Sequence, residues 1–404
     1  GSNALLFGRG GGGGVINRVT KQPTTDESFT GAAIATDTFG EYSIALDANV
    51  ALGGGRAFRA NVFHEHLDNH RDRFEGDRFA INPTFLQTFG EDTSLVLSYE
   101  LVDDDRVVDR GVPSLDGEPL RGFDNTFFGD PDANETTLRA HILRARLDHS
   151  FNSVLSLNAT VQYADYDKYY QNLYPVGFDD TAGTVSLDGY RDTTDRQNLI
   201  FQANLVGNFA TGALAHTFLA GAEFGDQRTD NARLDVLFAD SNDDRITFPF
   251  SDPLAIPSFS FPAFSRNRNS DVQFSSLFIQ DQVDIGRHLI LVGGLRYDRF
   301  DIGVTDRLEV ADGPDDGNDG RLGRVDEELS PRIGVIVKPV DQLSVYASYN
   351  RSFLPRSGDQ FLSLSPSDET LAPEEFRNYE VGVKWDATNE LSITAAVFRL
   401  ERES

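Results

Sequence analysis

The sequence predicts an all-β fold, an antiparallel transmembrane β-barrel, and three observations carry that expectation. Residues alternate apolar and polar over several segments. Long and short connections follow one another almost throughout. No stretch approaches the run of about 18 apolar residues that a membrane-crossing helix needs. The 404 residues suffice for one large closed sheet, and 31 Phe and 12 Tyr, with Gly and Asp crowded between the apolar runs, suit β structure. There is no Cys, which excludes disulfides, thiolate metal sites and a cysteine nucleophile. Acidic residues outnumber basic ones by 64 to 36, so the chain is not built to bind a nucleic-acid backbone. It contains no Met, even at position 1, and is therefore expected to be processed or partial.

Taken in order, the first feature is the glycine run of 8–14. Gly8, Gly10 and Gly13 satisfy G-x-G-x-x-G, yet Val15, Ile16, Val19 and Thr20 follow, which is strand material. A dinucleotide site needs a helix there, so phosphate binding is not expected. A short hairpin stands near Phe39 and Tyr42. The HEHLDNH segment then offers His64, His66 and His70 at strand spacing, but local carboxylates favour a solvated strand end over a metal set.

Leu95, Leu97, Tyr99 and Leu101 share one strand face, as do Leu155, Leu157, Ala159, Val161 and Tyr163. Long connections are expected at 101–137, 165–196 and 225–269, and short ones after Ser150 and at 207–213, 284–287, 338–342 and 386–390. DGPDDGNDG from Asp312 lacks the ordered acidic positions of an EF-hand and reads as an acidic loop tip. Toward the end, Leu343, Val345, Ala347 and Tyr349 oppose Ser344, Tyr346, Ser348 and Asn350. Tyr379, Val381, Val383 and Trp385 oppose Glu380, Gly382, Lys384 and Asp386, and Leu391, Ile393, Ala395 and Val397 form a third apolar face.

A soluble sheet would also alternate, but it has no reason to gather its long loops at one end. An outer-membrane barrel does: short turns face the periplasm, long loops face outward, apolar residues meet lipid and polar ones line the lumen. Tyr297, Tyr349, Tyr379 and Trp385 suit its aromatic girdles. About fifteen strands are expected, fewer than a finished barrel of the kind described next.

LLFGRGGGGGVINRVTKQP resembles the end of the plug domain in TonB-dependent ferric-siderophore receptors. Further matches are DDDRVVDRGVPSLDGEPL from Asp103, FFGDP from Phe127, FIQDQVDIGRHLILVGGLRYDRFD from Phe278, LSPRIGVIVKP from Leu329, and YASYNRSFLPRSGDQF with LAPEEFRNYEVGVKWD from Tyr346 onward. They cover nearly the whole chain in order and are most similar to the catecholate branch. The resemblance implies a 22-stranded barrel around an N-terminal plug, with residues 1–23 as the end of the plug and 24–404 as a partial barrel. It implies import of ferric siderophores across the outer membrane of a Gram-negative bacterium, energised by TonB. The TonB-contacting segment and most of the plug are absent, so this chain is a partial version.

Other cargoes, such as a cobalamin or a glycan, and a soluble β adhesin are the alternatives. The expected partners are a ferric siderophore, the TonB complex and outer-membrane lipid, in a receptor monomeric when complete. Iron is carried as ligand, with no directly bound cofactor or metal, and no catalytic constellation stands out.

Two sets of site residues follow. Gly8, Arg9, Gly10, Gly13 and Gly14 are expected where the plug passes the wall, with Arg9 paired to the inward carboxylate Glu380, the pairing the family implies. On the long outer loops, Arg106, Arg110 and Arg121 with Tyr169, Tyr170, Tyr174 and Phe178 could receive a flat anionic ferric catecholate by stacking and charge-assisted bonds.

Overall fold

The computed structural model describes residues 17–239, 242–313, 319–356 and 361–403. In chain order the strands are β1(Phe29–Thr36), β2(Tyr42–Gly53), β3(Arg56–Asp68), β4(Glu75–Phe89), β5(Thr93–Val107), β6(Ser114–Leu115), β7(Glu118–Pro119), β8(Glu135–Ser150), β9(Leu155–Asp179) and β10(Thr184–Thr211). They continue as β11(Leu214–Asp235), β12(Leu237–Phe238), β13(Arg245–Pro249), β14(Phe259–Ser260), β15(Phe264–Ile285), β16(Leu289–Asp306), β17(Arg321–Val340), β18(Leu343–Leu354), β19(Glu374–Thr388) and β20(Leu391–Glu403). One short helix, α1(Arg307–Asp312), follows β16. Fifteen long strands form a single antiparallel path in chain order, as expected; β13 adds to β10, and β6–β7 and β12–β14 are small pairs in loops. β1 and β20 stand at the two ends of the path, so among the described residues the sheet is open.

The alternation expected from sequence is the wall's inside–outside pattern. Leu97, Leu143, Val161, Phe201, Leu277, Leu295, Ile333 and Val381 are all exposed, and Leu277, Ile333 and Val381 reach 64%, 62% and 58%. Apolar side chains this exposed on strand after strand form a belt for lipid rather than a core for water to enclose. The opposite face carries buried polar groups, among them Asn49, Thr84, Glu100, Ser276, Asp298 and Asn350.

Backbone needs explain several details of the wall. Pro83 lies inside β4 and has no N–H to give its neighbour. The Asn82 amide supplies the missing donor, reaching the Tyr99 carbonyl at 2.7 Å. Gly221 and Gly225 on β11 lie flat beneath Phe278 and Phe274 of β15, where an added Cβ would stand 2.2 and 2.1 Å from the rings. The ring takes the space that a side chain would have filled.

Connections at one end are 54–55, 90–92, 151–154, 212–213, 286–288, 341–342 and 389–390, all short. At the other end they are 37–41, 69–74, 108–134, 180–183, 236–263, 307–320 and 355–373. The asymmetry is as predicted, with one correction: 165–196 is strand, not loop. β9 and β10 run on for 25 and 28 residues and close in a tight turn at 180–183. The same applies to much of 225–269, where β11 reaches Asp235 and β15 starts at Phe264. A tilted strand crosses a membrane in about 9–11 residues, so more than half of this hairpin stands outside it. The cause lies in the residues: YDKYYQNLY and GYRDTTDR are aromatic and β-branched enough to keep the ladder going without lipid.

The protruding hairpin has its own core. Leu120 and Phe128 from 108–134, Leu173 of β9, Val185 and Leu187 of β10, and Val236, Phe238, Ile246 and Phe248 from beyond β11 pack together. A second apolar group joins Phe274, Phe300, Ile302 and Phe353 to Phe361 and Leu364 from beyond β18, which therefore pack against the inner face of the wall.

Candidate ligand site at the outer mouth of the barrel

Alternation along β9 puts Tyr166, Lys168, Tyr170, Asn172 and Tyr174 on one face, opposite the face of Val161 and Tyr163. On β10 the same face holds Tyr190, Asp192, Thr194 and Arg196, because Asp192 pairs with Tyr170 and Arg196 with Tyr166. This is the lumen face continued upward. Three tyrosines meet there: the Tyr170 and Tyr190 rings stack at 5.8 Å, and Tyr174 meets Tyr190 edge-on at 6.1 Å.

Arg110 enters this group from the connection 108–134. Its guanidinium lies 4.9 Å from the Tyr174 ring centre, and Nη1 donates to the Tyr190 hydroxyl at 3.2 Å and to Tyr170 Oη and Asn172 Oδ1 at 3.4 Å. The loop is held in place from both sides. Asp109 pairs with Arg71 at 2.8 Å, and Asn134 bonds Val108 O, Leu173 O and Leu173 N at 2.8–2.9 Å.

Among the described residues no carboxylate pairs with Arg110; all its polar partners are neutral. Nearby, the Arg233 guanidinium lies 4.2 Å over Tyr190 and shares Asp192 with Arg266, at 2.9 and 2.6 Å. Asp188, opposite Tyr174 and 3.7 Å from Arg245, is a second carboxylate on this face, so Arg110, Arg233 and Arg266 meet Asp192 and Asp188 there, in a chain of net charge −28. Burial raises the Tyr170 and Tyr174 phenols above their ordinary range, against the pull of Arg110, so both stay protonated at neutral pH. For Arg110 itself burial opposes the charge, while bonds to Tyr170 and Tyr190 hold the charged form and prevail. Stacked neutral rings beside an uncompensated guanidinium suit a planar, anionic ligand.

Of the residues expected from sequence, Arg110, Tyr170 and Tyr174 come together, though on strands and one loop rather than on two loops. Tyr169 does not join them. It lies on the other face of β9, bonded to Gln171 at 2.9 Å and 5.9 Å from Arg191. Arg106 is tied to Asp104 at 3.4 Å on β5, and Arg121 is exposed on its loop with no hydrogen bond or ion pair among the described residues. Phe178 packs into the apolar cap. Tyr190 and Asp192 were missed because 165–196 reads as loop, and Arg233 because 225–269 does; extending the two-residue period through both would have placed them.

At the plug end, Gly8, Arg9, Gly10, Gly13 and Gly14 lie outside the described residues, and the expected Arg9–Glu380 pair with them. Glu380 does face inward, opposite the exposed Val381, and accepts from the Tyr346 hydroxyl at 2.6 Å. The described segment shows another attachment. Arg18 pairs with the buried Glu100 at 2.5 Å, Arg59 holds Asp47 through two bonds and the Gln22 carbonyl through a third, and Asn49 clasps Thr24 and Glu27. Residues 17–28 are thereby stitched to the inner face of β2, β3 and β5. His64 and His66 lie beside Asp77 and Tyr42 at the rim, and among the described residues no group of three such side chains is placed to hold a metal ion.

The profile of the family described as "TonB dependent receptor-like, beta-barrel" matches residues 80–404. The chain belongs to the TonB-dependent receptors. The metal-pseudopaline receptor CntO of Pseudomonas aeruginosa is 28% identical over 425 residues, taking in 100% of this chain and 56% of that protein. The probable TonB-dependent siderophore receptor PiuA of Acinetobacter baumannii is 28% identical over 448 residues, with 100% and 58% covered. The chain spans little more than half the length of these curated relatives. The crystal structure of PiuA superposes with a TM-score of 0.85 at 25% identity, over 98% of this chain and 60% of that one. The ferric-catecholate receptor Fiu of Escherichia coli superposes at 0.82 with 19% identity, which shows the shared fold. TonB-dependent receptors are proteins of the Gram-negative outer membrane.

Proposed function

We propose that the complete receptor takes up an anionic ferric chelate of the siderophore class, bound first at the Arg110–Tyr170–Tyr174–Tyr190 group and moved inward with energy from TonB. The uncompensated Arg110 among stacked neutral tyrosines carries this reading. A ferric tris-catecholate is a flat-sided trianion and offers negative charge to Arg110 and aromatic faces to the tyrosines. Residues 1–23 are read as the end of the plug and 24–404 as part of the barrel around it. The stitches from Arg18, Gln22 and Thr24 to the wall support that division.

The likeness to the metal-pseudopaline receptor CntO supports a second reading, in which the cargo is another anionic metal chelate, one without aromatic faces. Arg110 and Arg233 would serve either anion, whereas the tyrosine faces favour the aromatic one. Iron-starved cells expressing the full-length protein should accumulate radioactive iron from a ferric tris-catecholate, and lose that uptake when TonB is removed. Uptake from ferric citrate but not from the catecholate would favour the second reading. Uptake from neither would dismiss the proposal.

A further inference from the structure

Arg110 keeps its charge open although a carboxylate stands next to it in the chain. Asp109 is its immediate neighbour, and adjacent Cα atoms lie about 3.8 Å apart, so a free Asp109 would be within reach of the guanidinium. The structure turns that carboxylate away. Asp109 Oδ1 accepts from the Gly111 amide at 2.8 Å, and Oδ2 meets Arg71 Nε in an ion pair, also at 2.8 Å. Both side chains of the pair are largely buried, 13% exposed for Arg71 and 15% for Asp109, where charges are screened far less than at the surface.

Arg71 comes from the connection 69–74, between β3 and β4, and that connection is itself fixed. Asn69 Oδ1 accepts from the Arg71 amide at 2.7 Å, and the Asp72 amide donates to the Asn125 carbonyl at 2.8 Å. The guanidinium's other partners are carbonyls: Nη1 donates to Thr126 O at 3.2 Å and to Phe123 O at 3.5 Å. The hydroxyl of Thr126, a residue only 4% exposed, donates in turn to Asp252 at 2.7 Å, which ties in the connection 236–263. Carbonyls hold the guanidinium in place but do not neutralise it. Among the described residues Asp109 is its one carboxylate partner.

We propose that Arg71 is a positioning residue for ligand capture: its charge holds the Asp109 carboxylate off Arg110 and so keeps Arg110 open to an anionic ligand. The proposal rests on the reading of Arg110 as the capture residue given above. A pair that only braced the loop would make its two members equivalent, since losing either breaks the same contact. A mask makes them opposite. Without Arg71 the freed carboxylate turns to Arg110 and competes with the ligand; without the carboxylate there is nothing left to mask.

The test is an equilibrium titration of the purified full-length receptor with ferric tris-catecholate. Arg71→Gln should bind about ten-fold more weakly than the parent, and Asp109→Asn at least as tightly as the parent. Arg71→Gln combined with Asp109→Asn should return to within about two-fold of the parent, because both charges leave together. Arg71→Lys, which keeps the charge and gives up the planar fork, should also stay within about two-fold. Heat-modifiable migration should show each variant folded; where Arg71→Gln does not fold, Asp109→Asn and Arg71→Lys decide. Equal weakening by Arg71→Gln and Asp109→Asn would overturn the mask and leave a brace. Unchanged affinity in Arg71→Gln would also overturn it, as would a combined variant as weak as Arg71→Gln or a loss of about ten-fold in Arg71→Lys. A parent receptor that fails to bind the trianion removes the capture reading first, and the mask with it.

Discussion

Glu100 shows how one residue can fix a segment of chain. Its carboxylate is buried on the lumen face of β5 and meets Arg18 at 2.5 Å, so Arg18→Ala leaves a buried charge without its partner. The loss should be about 1–3 kcal/mol. In a double-mutant cycle on the full-length receptor, Arg18→Ala with Glu100→Gln should cost less than the two singles added, read from denaturant midpoints; additive costs would mean that the pair does not hold residues 17–28. At the mouth, the raised phenols of Tyr170 and Tyr174 set a pH expectation. A phenol whose pKa is higher folded than unfolded stabilises the fold below its unfolded value and loses that contribution as pH rises through the folded one. Ligand binding should therefore stay level from about pH 7 to 9, because ordinary phenols titrate near 10 and these titrate later. A binding curve that fell away near pH 8 would count against neutral tyrosines at the site.

Strand period was the most legible feature of the sequence, and loop length the least. The faces of 343–350, 379–385 and 391–397 stand as alternation predicted, because a side chain's side of the sheet depends only on parity. The stretch 165–196 misled because charged and polar residues filled it, and water-exposed strand above a membrane has no apolar face to mark it. Arg110, Tyr170 and Tyr174 were found by residue type, while Tyr190, two positions before Asp192, needed the register. The element-scale prediction concerns the wall. Val381→Arg puts a cation on the lipid face and should cost roughly 2–4 kcal/mol near mid-membrane, whereas Ser348→Arg, facing the lumen, should be tolerated. Detergent-folding yields should separate the two, and equal yields would contradict the assignment of faces.

At the scale of the whole molecule, the two ends of the sheet do different work. Asp116 and Asn242 lie in the long connections of one end, Gly207 near the short turn 212–213 of the other. In intact cells, epitope tags at Asp116 or Asn242 should bind antibody and a tag at Gly207 should not; labelling at Gly207 alone would invert the molecule in its membrane. The long end is also where the chain, acidic overall, sets Arg110, which has no carboxylate partner among the described residues. Folding brings Arg110, Arg233 and Arg266 from three separate connections and strands to one tyrosine group, which no local stretch of sequence displays. That this group captures an anionic ferric chelate is the account's central claim. The most direct measurement is an equilibrium titration of the purified full-length receptor with ferric tris-catecholate, comparing the parent with Arg110→Ala. The variant should bind at least about ten-fold more weakly, the equivalent of one charge-assisted contact, while remaining heat-modifiable. Equal affinity in parent and variant would contradict the claim.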